Sequence, residues 1–146
     1  MVSKKNTMGK VDKHSEHYYD FDRNVKTLRH FSSKEFDSPD EPGSGKKMCP
    51  LFLKKLDTCR ENANVPFVIT SGYRSKNHNK KVGGVLKSSH TETPCKAVDI
   101  SANNSTLRYK ILSSLIKNGF NRIGIGSNFI HVDASDKPPN VAWHYY

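Results

Sequence analysis

Two ionisable side chains stand inside otherwise apolar, strand-like runs: Asp99 in AVDIS and His131 in FIHVDA. An ionised carboxylate taken into a core strand is costly unless it is paired or binds a metal. The chain must therefore fold so that Asp99 meets partners, which restricts how its strands can be arranged. A third polar residue, His90, follows Ser88 and Ser89 in a loop. Two histidines and one aspartate are suitable zinc ligands. Three protein ligands leave a fourth position for water, the arrangement of catalytic rather than structural sites. On the bare pattern the ordinary reading stands beside this one, because a lone strand histidine is more often a satisfied structural residue.

The rest of the chain supplies the frame. Its 146 residues allow one domain, or one domain with a short arm. A compact chain of this size buries roughly 68–70% of the surface it exposes unfolded. Residues 1–24 are polar and aperiodic and read as an arm. His14 and His17 lie there, three apart, with nothing nearby to complete a metal site. Residues 25–146 read as the folded domain. A short strand is expected over 25–31, then a capping box, Ser32 to Glu35, opening a short helix through Phe36. Residues 37–45 (DSPDEPGSG) are rich in turn formers. Pro50 suits the first turn of a helix over 50–62, with Phe52, Leu56 and Cys59 at helical spacing and Leu53 beside them. FVIT (67–70) reads as a buried strand, 76–82 as a short helix stopped by Gly83 and Gly84, and 97–101 as another strand. Ser105 is expected to cap a helix reaching Asn118, with Leu107, Ile111, Leu112, Leu115 and Ile116 as its apolar face and Gly119 as its stop. Strands over 122–126 (RIGIG) and 129–134 follow. Strands and helices without regular alternation indicate an α+β fold, a small antiparallel sheet flanked by helices.

Lys and Arg total 24 against 14 Asp and Glu, giving a formal charge of +10. Such a chain seeks anionic partners: nucleic acid, an anionic membrane surface or an acidic wall polymer. The lysines are scattered, and no helix-turn-helix, zinc finger or aromatic RNA-binding signature is present, so no nucleic-acid partner is expected. No run approaches the ~18 apolar residues of a membrane span. The first residues carry lysines but no apolar core after them, so no secretory signal is expected. Cys49, Cys59 and Cys95 are too few and odd in number for a disulfide framework. Cys49 and Cys59 bracket one expected helix, about 15 Å apart along it, beyond bridging range. All three read as small buried thiols.

A set of words in fixed order adds to this reading. They are Ser71-Gly72-Tyr73-Arg74-Ser75, Asn77-His78-Asn79, Val82-Gly83-Gly84, Ser88-Ser89-His90, Ala97-Val98-Asp99-Ile100, Gly124-Ile125-Gly126 and His131-Val132-Asp133. With Phe31, Glu35 and Phe36 upstream, they resemble the M15 zinc peptidases, in particular the small branch found in phage endolysins and bacterial cell-wall enzymes. The resemblance runs from about residue 25 to 143. It implies a zinc site on the sheet, as in hedgehog and D-Ala–D-Ala peptidase domains, with one ion held by His90, Asp99 and His131. Arg74 matches the arginine that binds the substrate carboxylate or polarises the scissile carbonyl, and Ser88 a supporting serine. Tyr73 and Trp143 are candidates to line the pocket. The implied substrate is a peptidoglycan stem peptide, cut at the terminal D-Ala–D-Ala bond or at an internal bond such as L-Ala–D-Glu. The implied protein is a monomer made in the cytoplasm that reaches the wall by phage-type lysis or from a virion.

Two departures from the family pattern matter. His90 and Asp99 are nine positions apart where the family usually has seven, and Thr91 to Lys96 fill the longer link. Such an insertion is cheap in closure entropy. It brings Glu92 and Cys95 toward the site, where Cys95 is a candidate ligand or redox-sensitive residue beside its ordinary reading as a plain loop thiol. The family's usual general-base positions fall on Asn128 and Phe129, neither of which accepts a proton. Asp133 shares a strand face with His131. It is either the general base or a group that orients His131 from behind. His78 and His144 are weaker acid–base candidates. The missing base also leaves a non-catalytic wall-binding module on the same scaffold as the second reading.

Overall fold

The computed structural model describes residues 28–145. The arm over 1–24, with His14 and His17, and the start of the strand expected over 25–31 lie outside the described residues. Residues 28–31 form no strand. Their backbone is claimed by a helix instead: the Asp57 carboxylate accepts the amide hydrogens of Arg29 and His30, each at 3.0 Å. The capping box forms as expected, with the Ser32 amide donating to Glu35 at 2.7 Å and a 3-10 turn over Ser33–Phe36. In the turn-rich loop that follows, the Asp37 carboxylate accepts from the amides of Gly43 and Gly45. A second 3-10 turn covers Ser44–Lys47.

Three helices carry the packing. Helix α1 is Pro50–Ala63, with Pro50 at its first position. Helix α2 is Lys76–Lys81, capped by the Ser75 side chain on the His78 amide. Helix α3 is Ser105–Lys117. Asn104, not Ser105, caps α3: the Asn104 side-chain oxygen reaches the Leu107 amide at 2.8 Å, so Ser105 becomes the first helical residue. Gly119 stops the helix at φ +90°, a conformation in which a Cβ is strained. The apolar face is narrower than the sequence suggested. Ile111 and Leu115 are fully buried and Leu107 and Leu112 partly so, whereas Ile116 is 57% exposed. Ile116 lies nine residues beyond Leu107, about 180° round the helix at 3.6 residues per turn, and so faces water.

The sheet has five strands: β1 Ile69–Ser71, β2 Ala97–Ser101, β3 Arg122–Ile125, β4 Phe129–Asp133 and β5 Val141–His144, in the spatial order β1-β2-β4-β3-β5. Pairing is antiparallel except for β5, which runs parallel beside β3. The fold is therefore α+β with a mixed sheet, and β5 was not legible as a strand. Strand β1 begins two residues later than FVIT suggested, because the side chain of Phe67 is buried while its backbone lies outside the ladder.

One face of the sheet supplies Val98, Ile100, Ile130 and Val132, all fully buried. They join Leu53 and Leu56 of α1 and Ile111 and Leu115 of α3 in one core. The two long helices are tied together where the Ser114 hydroxyl donates to the Cys59 carbonyl at 2.6 Å. The opposite face carries the polar residues.

Candidate metal centre

Strand register assembles the site. Asp99 of β2 lies directly opposite His131 of β4. Across β2, Ser71 faces Asp99; across β4, Gly124 of β3 faces His131, and Trp143 of β5 faces Gly124. Residues opposed in a ladder share a face. Ser71, Asp99, His131, Gly124 and Trp143 thus form one row across all five strands. A 3-10 turn, Ser89–Thr91, delivers His90 onto this row. The Ser88 hydroxyl begins that turn by accepting the His90 amide at 3.2 Å.

Three candidate ligand atoms converge there. His90 Nε2 is 3.3 Å from His131 Nδ1 and 3.3 Å from Asp99 Oδ1, and His131 Nδ1 is 2.9 Å from Asp99 Oδ1. For bonds near 2.0–2.1 Å, a tetrahedral ion needs donors about 3.3 Å apart, so the cluster fits one. The tautomers fit as well. His90 Nδ1 donates to the Gly72 carbonyl at 2.7 Å, which leaves the Nε2 lone pair facing the cluster. The far nitrogen of His131, Nε2, meets Asp133 Oδ2 at 2.7 Å, which frees Nδ1 in the same way. His90, Asp99 and His131 are all buried. Burial works to raise the Asp99 carboxyl, but hydrogen bonds from His131 and His90 outweigh it and hold it below the usual carboxylate range. For His131 burial opposes charge, and the hydrogen bonds to Asp133 and Asp99 win, raising it.

The family model for Peptidase M15 matches residues 21–133, a stretch that contains the whole cluster and its supporting turns. The chain belongs to the M15 peptidase family. It is accordingly a metallopeptidase, and M15 peptidases are metal-dependent, in keeping with the donor set found here. No curated protein matches the chain.

Within this M15 domain Asp133 is almost fully buried and its oxygens are occupied. Oδ2 holds His131, while Oδ1 accepts from Arg122 Nε at 2.7 Å, from the Ser135 hydroxyl at 2.7 Å and from the Ser135 amide at 3.1 Å. Burial would raise this carboxyl; the hydrogen bonds from His131, Ser135 and Arg122 keep it low. Arg122 also donates to the Pro138 carbonyl and lies 5.2 Å from the Trp143 ring centre. Sequence reading passed over Arg122. The signal was available, since Arg122 is a charge in the apolar run RIGIG, the same anomaly that singled out Asp99.

Arg74 spreads its guanidinium over three partners: Asp99 Oδ2 at 3.2 Å, the Ser71 hydroxyl at 2.9 Å and Asn79 Oδ1 at 3.1 Å. Two hollows of about 440 and 450 Å³ flank the cluster. One is bordered by Ser88, His90, His131, Lys137, Trp143 and Tyr145, the other by Thr70, His78, Ser101, Asn103 and Asn128. Arg74, Asp99 and Phe129 border both, so the two hollows adjoin beside the cluster.

The remaining sequence candidates are placed as follows. Trp143 stands 5.7 Å from the His131 ring. Tyr73 is buried under Lys47, whose ammonium lies 5.0 Å from its ring centre, and borders neither hollow. His144 alternates with Trp143 on β5 and so takes the other face. Cys95 is buried beneath the His90 turn with its thiol against the carbonyls of Ser89, His90 and Ala97, outside the donor cluster. Glu92 is exposed.

Proposed function

We propose that this chain is a zinc-dependent endopeptidase acting on the stem peptides of peptidoglycan, at an internal bond of the L-Ala–D-Glu type. The observation that carries this reading is the pair of adjoining hollows beside the cluster, which suits a substrate extending in both directions. A carboxypeptidase needs a closed end with a free cation for the terminal carboxylate, and Arg74 has three of its donor directions engaged. The charge of +10 favours approach to an anionic wall.

His90, Asp99 and His131 would hold the ion. Bound there, it would polarise the scissile carbonyl and lower the pKa of a water toward about 7. The chain's own residues prepare that chemistry. The Gly72 carbonyl and Asp133 each hold the proton on the far nitrogen of a histidine. Arg74 holds Asp99 Oδ2, turning Oδ1 into the cluster. Asp133 acts as the support of His131, since its oxygens are already in use. Residues 25–146 form the catalytic domain, acting at the bacterial cell wall as a monomer.

Purified peptidoglycan incubated with zinc-loaded and with chelated protein, with products read by mass spectrometry, tests the proposal. Zinc-dependent release of fragments with a new internal terminus supports it. Loss of a single terminal alanine would reassign the enzyme as a carboxypeptidase. Absence of release from protein holding one zinc would leave a wall-binding module.

A further inference from the structure

Tyr145 borders the site, its hydroxyl partnered by the Trp143 side chain of the same wall. The residue follows β5, its amide donating to the Ile125 carbonyl at 3.0 Å, and it borders the same hollow as His90 and His131. Its ring is set by neighbours: Phe129 at 5.1 Å and Trp143 at 6.4 Å between centres. Room for it exists because residue 124 is glycine; a Cβ there would lie 2.7 Å from Tyr145 Cε2. The ring is therefore held in place, yet the residue stays 43% exposed. Burial pushes the phenol up, against a hydrogen bond with the Trp143 side chain; the indole N–H only donates, so the Tyr145 oxygen accepts there and its own proton remains to be given. Other polar groups on this wall are committed: Arg122 to Asp133 and Pro138, Lys137 to the Lys87 carbonyl and Ser89.

We propose that the Tyr145 hydroxyl donates a hydrogen bond to the carbonyl oxygen of the bond being cleaved, which makes Tyr145 a catalytic residue of this peptidase. The bond strengthens as negative charge develops on that oxygen, so its contribution falls on turnover rather than on substrate binding. The inference rests on the metallopeptidase chemistry of the family and not on the choice of wall peptide.

The test is Tyr145→Phe, which keeps the ring and removes the hydroxyl. Wild type and variant are assayed on purified peptidoglycan and, in parallel, on a fluorescence-quenched peptide pool. Metal content and the emission of Trp143, the only tryptophan in the chain, are followed throughout. The expected result is a fall in kcat of about 100-fold, the scale of one lost oxyanion donor. KM, metal content and the Trp143 response to peptide should be unchanged. Wild-type kcat in the variant would overturn the proposal. So would a loss confined to KM, since that would mean that the hydroxyl serves binding. Cleavage of the pool but not of the wall would refute the wall substrate and still measure Tyr145. Cleavage of neither by metal-loaded wild type would overturn both.

Discussion

His131 and Asp133, two residues apart on β4, point to the same face, and Nε2 of the histidine meets Oδ2 of the aspartate at 2.7 Å. The contact divides the imidazole between two duties, one nitrogen turned to the cluster and the other fastened behind. Arg122 fastens the aspartate in turn, from the neighbouring strand. One short segment, His-Val-Asp, thus supplies both a candidate ligand and the group placed to fix its tautomer.

Asp133→Asn therefore lowers metal affinity by about 10–100-fold, the usual effect of losing such a supporting partner. Competition against a chromophoric chelator measures it. The substitution also strands the nearly buried Arg122 guanidinium, and breaking a buried pair from one side costs about 3–5 kcal/mol, visible in urea unfolding. Unchanged metal affinity with a depressed kcat would instead place Asp133 on the reacting atoms as a base.

Gly124→Ala tests the aromatic wall. The added Cβ would sit 2.6 Å from Trp143 Nε1 and 2.7 Å from Tyr145 Cε2, closer than such atoms approach. The rings must move, at a cost of about 1–3 kcal/mol for overpacking. Trp143 emission should shift and peptidase activity should fall. Metal should still bind, because no ligand atom is touched. An unshifted emission spectrum would show that the wall yields freely.

The cluster was readable because burying charge is expensive and leaves a mark: Asp99 and His131 interrupt apolar runs, and only partners explain them. Helix α1 was readable for a simpler reason, its proline and apolar spacing agreeing. Strand β5 was not. Val141 to His144 alternate weakly, three of the four are exposed, and the strand exists because β3 offers it an edge. The cap of α3 was misplaced by one residue because Asn104 and Ser105 both suit the role, and only the backbone decides between them. Arg122 and Tyr145 take their meaning from partners in other strands, which spacing along one strand does not reveal.

Asp40 offers a pH test away from the metal. Its carboxylate accepts from the hydroxyls of Ser38 and Ser75, and these two bonds hold its pKa below the ordinary 3.8. A depressed folded-state value means stability that is present above pH 3.8 and lost as pH falls below it toward the folded value. Asp40→Asn should therefore flatten this part of the acid-unfolding limb and leave the neutral region little changed. Matching acid limbs in variant and parent would remove Asp40 from the acid response.

Cys95 tests whether the longer link between His90 and Asp99 alters the metal site. Burial pushes its thiol up to about 12, and Cys59, also buried, up to about 11. Alkylation follows the thiolate fraction. At pH 8 a thiol of pKa 12 is ionised about 10³-fold less than an ordinary one near 8.5, before access is considered. Iodoacetamide should therefore leave Cys95 unmodified in the native protein and modify it in urea, with mass mapping to locate the label. Because the thiol faces carbonyls and not the ligand cluster, stripping the metal with a chelator should not speed its modification. Rapid labelling of Cys95 on metal removal, with the rest of the chain still folded, would instead make it a fourth ligand.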